Sequence, residues 1–121
     1  MSAAVIGWVA LGAVVGAPLR FLIDRWVTLR TASSPIPIGL LVVNISGSAL
    51  LGLVVGLHHP TLTLVAGSGF CGALTTYSGF AWESTRLWSE RRGAFWAFVA
   101  LMVLACLLAF WITWSLATRL A

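Results

Sequence analysis

The sequence predicts an all-α integral membrane protein with four transmembrane helices, the third of them broken mid-membrane. Hydrophobic side chains make up 60% of the 121 residues and charged ones only 8%, too little polar surface to cover a water-soluble protein of this size. A bilayer core of about 30 Å takes roughly 20 apolar residues per helix, which leaves room for about four spans. We expect a single membrane domain over residues 1–121, with spans at about 3–23, 38–57, 62–88 and 94–116.

The first span carries a ridge of small residues. No basic residue precedes it and no small-residue cleavage site follows a short apolar run, so we interpret it as a retained span rather than a signal peptide. Gly12, Gly16 and Arg20 recur every four residues and so share one helix face. The glycine pair suits close helix packing, and we expect this ridge to face protein. Arg20 either faces a partner or an aqueous vestibule, or snorkels to the membrane boundary.

The second span follows a polar, proline-containing connection over residues 28–37. Its one strongly polar side chain is Asn44, and Gly47, Ser48 and Gly52 follow on the same face. An asparagine in mid-span either holds helices together through a hydrogen bond or belongs to a functional site. The second span alone leaves both interpretations open.

The third apolar region is unlike an ordinary membrane helix, because glycines and hydroxyl residues gather at its centre, over residues 67–80. Backbone that leaves the helix inside a membrane must be buried in protein or line a water-filled cavity. We therefore predict a break here and treat it as a candidate functional site. The alternative is a continuous helix with a glycine-rich packing face.

The last span, by contrast, is nearly all Ala, Leu, Phe, Trp and Val, and offers little chemistry. The two cysteines, Cys71 and Cys106, both lie in apolar stretches without the paired spacing of a metal site or disulfide framework. We interpret both as buried free thiols.

Asn44, the run Thr75-Thr76-Tyr77-Ser78 and Phe80 together offer amide and hydroxyl donors beside aromatic rings, with almost no charge. Such donors can bind a small dehydrated anion, and the positively polarised ring edges can face it without binding it tightly. Weak binding at several sites is what conduction requires. Exposed carbonyls in the same break would instead suit a hard cation.

At these residues the sequence resembles the small fluoride channels called Fluc or CrcB. The resemblance rests on GAVVGAPLR at 12–20, GLLVVNISG at 39–47 and GFCGALTTYSGFAWE at 69–83. It implies an antiparallel dimer with two fluoride pores between the subunits. It also implies a structural, untransported Na⁺ at the dimer centre, held by the backbone carbonyls of Gly72 and Thr75.

The resemblance also implies that Asn44, Tyr77 and Phe80 belong to the pore. With the donors of the neighbouring hydroxyl run, the residues expected to line the pore are Asn44, Thr76, Tyr77, Ser78 and Phe80. Arg20 and Glu83 are expected at a vestibule or in packing. The chain departs from the family at Tyr77, where phenylalanine is usual, at Gly79, where threonine is usual, and in its apolar last span.

The expected function is that of a fluoride-selective passive channel subunit in the inner (plasma) membrane, exporting fluoride and lowering its cytoplasmic concentration. One alternative is a non-conducting or assembly subunit of a heterodimeric channel. Another is a small multidrug-type transporter, but its proton coupling needs a carboxylate inside the membrane, and Asp24, Glu83 and Glu90 all fall at span ends. We do not expect an enzyme, since no nucleophile, acid–base pair or metal cluster stands out.

The distribution of the arginines predicts how the chain is oriented in the membrane and what kind of subunit it pairs with. The net charge of +4 comes from arginines at the ends of hydrophobic runs, a pattern of membrane topology rather than of nucleic-acid binding. With four spans, one side of the membrane holds Arg20, Arg25, Arg30, Arg86, Arg91 and Arg92, and the other holds Arg119. Because cytoplasmic loops collect basic residues, both termini should lie outside. One fixed orientation favours pairing with a homologous second subunit of opposite charge bias.

Overall fold

The computed structural model describes residues 2–121, and in that part of the chain the secondary structure is entirely helical. Five helical segments follow one another, separated by short connections. They are α1 (Ala3–Arg30), α2 (Ile38–Gly56), α3 (residues 60–74), α4 (Tyr77–Glu90) and α5 (Arg92–Leu120). Within α3, a nine-residue π-helical stretch, Thr63–Cys71, lies between single α-helical turns.

The first helix runs past the predicted end of its span, to Arg30. Ser2 is its N-cap residue, and the Ser2 hydroxyl accepts a hydrogen bond from the Val5 amide. It ends where the Thr31 amide and hydroxyl both donate to the Val27 carbonyl, at 2.9 and 2.8 Å. Residues 24–30, a mixture of polar and apolar side chains, continue the helix beyond the apolar stretch, because helix formation does not require apolar side chains.

The glycines of the ridge on α1 face protein, as the spacing predicted, and they pack against α3. Gly12 and Gly16 are the buried residues of α1. A Cβ added at Gly16 would lie 3.1 Å from the Cβ of Ala73, and one at Gly69 would lie 3.1 Å from the Cα of Gly12. Glycine at these positions therefore lets the two backbones approach closely.

Glycines also let α2 pack closely against α5. At Gly56, an added Cβ would lie 2.6 Å from Ala117 Cβ, and at Gly52 it would meet the Phe110 carbonyl. The hydrophobic core extends from this contact toward α4. Its buried members are Leu40, Leu41, Leu87, Phe98 and Met102.

Three helices of the described chain are long and apolar enough to cross a membrane, α1, α2 and α5, with mean hydropathies of 1.8, 2.2 and 2.6. They correspond to the first, second and last predicted spans. The remaining apolar region is divided between α3 and α4. The chain therefore has the helices of a multi-pass membrane protein, as the composition predicted.

Candidate functional site

The connection between α3 and α4 consists of two residues in extended conformation. Thr75 has φ −82° and ψ 159°, and Thr76 has φ −145° and ψ 120°. The Thr75 hydroxyl and amide both donate to the Cys71 carbonyl, at 2.9 and 3.0 Å, and so close α3. The Thr76 hydroxyl accepts from the Gly79 amide at 3.1 Å and caps α4. The threonine pair thus ends one helix and starts the next.

Asn44 of α2 satisfies the backbone amide and carbonyl of Thr76. Its side-chain Nδ2 donates to the Thr76 carbonyl at 3.1 Å, and the Thr76 amide donates to its Oδ1 at 2.8 Å. Nδ2 also lies 3.4 Å from the Sδ of Met102, a weak acceptor. Asn44 is only 8% exposed, so these bonds satisfy an amide that water does not reach freely.

Gly47, one turn beyond Asn44, makes room for the extended pair. A Cβ at Gly47 would run into the Cγ2 atom of Thr75 and would also lie 3.7 Å from its Cβ. The glycine therefore lets α2 approach the connection closely enough for Asn44 to reach Thr76.

Two carbonyls at the connection have no hydrogen-bond donor. In a continuous α-helix the Thr76 amide would bond to the Gly72 carbonyl, but here it bonds to Asn44 instead. Within residues 2–121, no hydrogen bond ends at the carbonyl oxygen of Gly72 or Thr75. Such oxygens are the ligands that hard cations prefer, so these two residues fit the predicted Na⁺ site chemically.

A groove of about 620 Å³ opens beside Asn44. Of the predicted pore residues, Asn44, Thr76, Tyr77 and Phe80 line it. The Phe80 ring lies 5.5 Å from that of Phe98 and 6.2 Å from that of Tyr77, centroid to centroid. Tyr77 itself is 81% exposed. The structure therefore brings an amide, a hydroxyl and two aromatic rings to one surface.

Ser78, the fifth predicted pore residue, is exposed and does not line the groove. Its hydroxyl lies 3.2 Å from the Thr76 hydroxyl, which connects it to the groove through one contact. Gly72 and Thr75, in contrast, do line the groove.

Other groove residues are not among the predicted pore residues, for example Ser68 of α3 and Met102 and Cys106 of α5. Met102 and Cys106 are four residues apart and hence share one helix face. That spacing was visible in the sequence, but both side chains count as apolar and did not stand out in an apolar span.

Glu83 and Arg20 lie outside this groove. The Glu83 carboxylate accepts hydrogen bonds from Arg86 Nε at 2.9 Å and Nη2 at 2.6 Å. Glu83 and Arg86 line a second cavity of about 280 Å³ together with Asp24 and Thr28. Arg20 is half-buried, and no ion pair among the described residues involves it.

The model of the family described as "CrcB-like protein, Camphor Resistance (CrcB)" matches residues 7–114 of the chain. The chain belongs to this family. The matched region of this CrcB-family chain contains every predicted site residue, from Arg20 to Glu83.

Several relatives of this CrcB-family chain are named "Fluoride-specific ion channel FluC 1". One from Nocardia farcinica is 54% identical over 68% of this chain and 58% of its own length. One from Streptomyces avermitilis is 45% identical over 74% of each chain. One from Geobacillus kaustophilus is 38% identical over 88% of this chain and 90% of its own. The chain therefore spans little more than half of the first relative but most of the other two.

Proposed function

We propose that this chain is one subunit of a fluoride-selective passive ion channel that exports fluoride and lowers its cytoplasmic concentration. Membership of the CrcB family and the names of the relatives support a fluoride channel. The observation that carries the proposal is the groove beside Asn44, where neutral donors and aromatic rings meet without a charged side chain.

The groove suits an anion that is stripped of water and then released. Within the groove, the amide of Asn44 and the hydroxyls of Thr76 and Tyr77 can donate hydrogen bonds to fluoride, and the ring edges of Tyr77 and Phe80 can face it. Ser78 lies outside the groove and would act through its contact with the Thr76 hydroxyl. A charged residue here would hold the anion too tightly for conduction. The Asn44 hydrogen directed at the Met102 sulfur is the one that a stronger acceptor can take most readily.

The pore is completed, in this proposal, by a second subunit in antiparallel orientation within the inner (plasma) membrane. The groove is open on one side, and Tyr77 is 81% exposed although it is aromatic. In the bilayer, α3 and α4 together act as the third span, broken at Thr75 and Thr76. The arginine bias supports a homologous partner rather than a second copy of this chain.

A structural Na⁺ belongs to the same proposal. The carbonyls of Gly72 and Thr75, which lack hydrogen-bond donors, would hold it, and the ion would supply fixed positive charge between the subunits. This chain's own part would be to present the two oxygens. Pairing of the Thr76 amide with Asn44 leaves the Gly72 carbonyl free, and pairing of the Gly79 amide with the Thr76 hydroxyl leaves the Thr75 carbonyl free.

A second candidate is a non-conducting or assembly subunit of a heterodimeric channel. It is favoured by the apolar α5 wall of the groove, formed by Met102, Val103, Cys106 and Leu107. In that case the partner would carry the conducting groups.

Fluoride efflux from liposomes tests the proposal. The chain is reconstituted alone, and then with a homologue encoded in the same genome, while a fluoride electrode and a chloride electrode record release. We expect passive, fluoride-selective efflux that the homologue increases. Equal fluoride and chloride efflux, or a requirement for a proton gradient, contradicts a selective channel. No efflux in either preparation contradicts conduction.

A further inference from the structure

Three sulfur-bearing side chains line the groove: Cys71 from α3, and Met102 and Cys106 from α5. Met102 and Cys106 are one helical turn apart, and the Cys106 thiol donates to the Met102 sulfur across 3.9 Å. Both cysteines are free thiols. Cys71 is buried, whereas Cys106 is half-buried and accessible from the groove.

We propose that Met102 and Cys106 form a binding site for a soft monovalent cation such as Ag⁺ or Cu⁺. Thiolate and thioether sulfurs are the protein ligands that such ions prefer over the oxygens bound by Na⁺ or Mg²⁺. Metal–thiolate bonds are about 2.3 Å long in the case of zinc, so a single ion can reach two sulfurs 3.9 Å apart.

Replacement of the Cys106 thiol proton by a monovalent cation leaves the charge of the site unchanged. On binding, the Cys106 thiol loses its proton to water and its sulfur forms a bond to the cation, while Met102 Sδ contributes a lone pair and stays neutral. A thiolate with a monovalent cation is neutral overall. The apolar wall formed by Val103 and Leu107 therefore need not accommodate a net charge.

The occupied site would alter the neighbouring amide. Met102 Sδ also accepts the hydrogen bond from Asn44 Nδ2 at 3.4 Å, so the sulfur is shared between Asn44 and Cys106. A cation bound between the two sulfurs takes the lone pair that the thiol hydrogen occupied and draws electron density from the Met102 sulfur, which weakens its hydrogen bond from Asn44. The metal site itself does not depend on the proposed fluoride path, and its test uses no transport measurement.

Protection of the Cys106 thiol provides that test. The full chain, purified in detergent and chloride-free buffer, is treated with N-ethylmaleimide with and without one equivalent of silver nitrate. Peptide mass spectrometry follows Cys106 separately from Cys71. We expect silver to slow Cys106 alkylation strongly and a large excess of Na⁺ to leave it unchanged. Met102→Leu should raise the silver concentration needed by roughly tenfold, about 1.4 kcal/mol. Unprotected Cys106, or equal protection in Met102→Leu, overturns the two-sulfur site.

A second measurement needs no point substitution at Met102. The chain has two methionines, Met1 and Met102, and both can be grown as selenomethionine. Selenium-edge X-ray absorption should then show a silver neighbour in the wild-type sequence and lose it in Cys106→Ser. Absence of that neighbour, or its persistence in Cys106→Ser, overturns the proposal.

Discussion

Asn44 pairs with the backbone of Thr76 as one peptide group pairs with another, donating through Nδ2 and accepting through Oδ1. The two residues lie 32 positions apart in the sequence. One side chain thereby replaces the two helical hydrogen bonds that Thr76 gives up. This relationship makes Asn44 a structural residue as well as a candidate pore residue.

Asn44→Ala should destabilise the protein even before transport is measured. It leaves the half-buried amide and carbonyl of Thr76 without protein partners, and an unsatisfied group costs up to about 1–3 kcal/mol when it is fully buried. Thermal unfolding in detergent measures the loss. Ser48→Ala is the matched control, since Ser48 lines the same groove and has no side-chain hydrogen bond among the described residues. Equal stability of the two variants would contradict a structural role for Asn44.

Gly47→Ala should also be destabilising, by about 1–3 kcal/mol, because the new methyl group runs into Thr75 Cγ2. Gly7→Ala is the control, since a Cβ at Gly7 has nothing within 4 Å. In the control, alanine should stabilise the helix by roughly 0.5–1 kcal/mol. The same unfolding assay compares the two. A Gly47→Ala protein as stable as Gly7→Ala would show that α2 need not approach the connection so closely.

Gly72→Val separates assembly from folding. Within the chain, a Cβ at Gly72 meets only the Gly67 carbonyl, at 4.0 Å, so the subunit itself has space for a larger side chain. If Gly72 lies at a subunit interface with its carbonyl on Na⁺, valine should abolish dimers while the subunit still folds. Cross-linking in detergent, with and without Na⁺, reports the dimer, and circular dichroism reports the helices. Intact Gly72→Val dimers would remove Gly72 from the interface.

The arginine bias predicts a single orientation in the membrane. A cysteine placed at residue 2 or residue 121, in a background without Cys71 and Cys106, should react with an impermeant maleimide in intact cells. A cysteine placed at residue 33 in the 31–37 connection should react only after the cells are opened. Labelling of either position from both sides in similar amounts would indicate dual insertion and would remove the argument for a distinct partner.

The sequence predicted the helices well and their contacts only in part. Hydropathy located the spans because apolar length is a local property, and the spacing of Gly12 and Gly16 identified a packed face. The pairing of Asn44 with Thr76 joins distant residues, and local spacing does not encode such a contact. Met102 escaped notice, and Cys106 was interpreted as a buried free thiol although it is half-buried in the groove, because hydropathy counts sulfur-bearing side chains as ordinary apolar ones.

The long helices differ markedly in length. At 1.5 Å per residue, the 28 residues of α1 and the 29 of α5 each extend about 42 Å or more, whereas the 19 of α2 extend about 28 Å. The length of α2 matches a hydrocarbon core of about 30 Å. The longer helices α1 and α5 must tilt or project into the headgroups. A thinner or thicker bilayer is therefore accommodated by α1 and α5. The helix that carries Asn44 is no longer than the hydrocarbon core is thick. A change in lipid acyl-chain length therefore produces a hydrophobic mismatch at α2 itself.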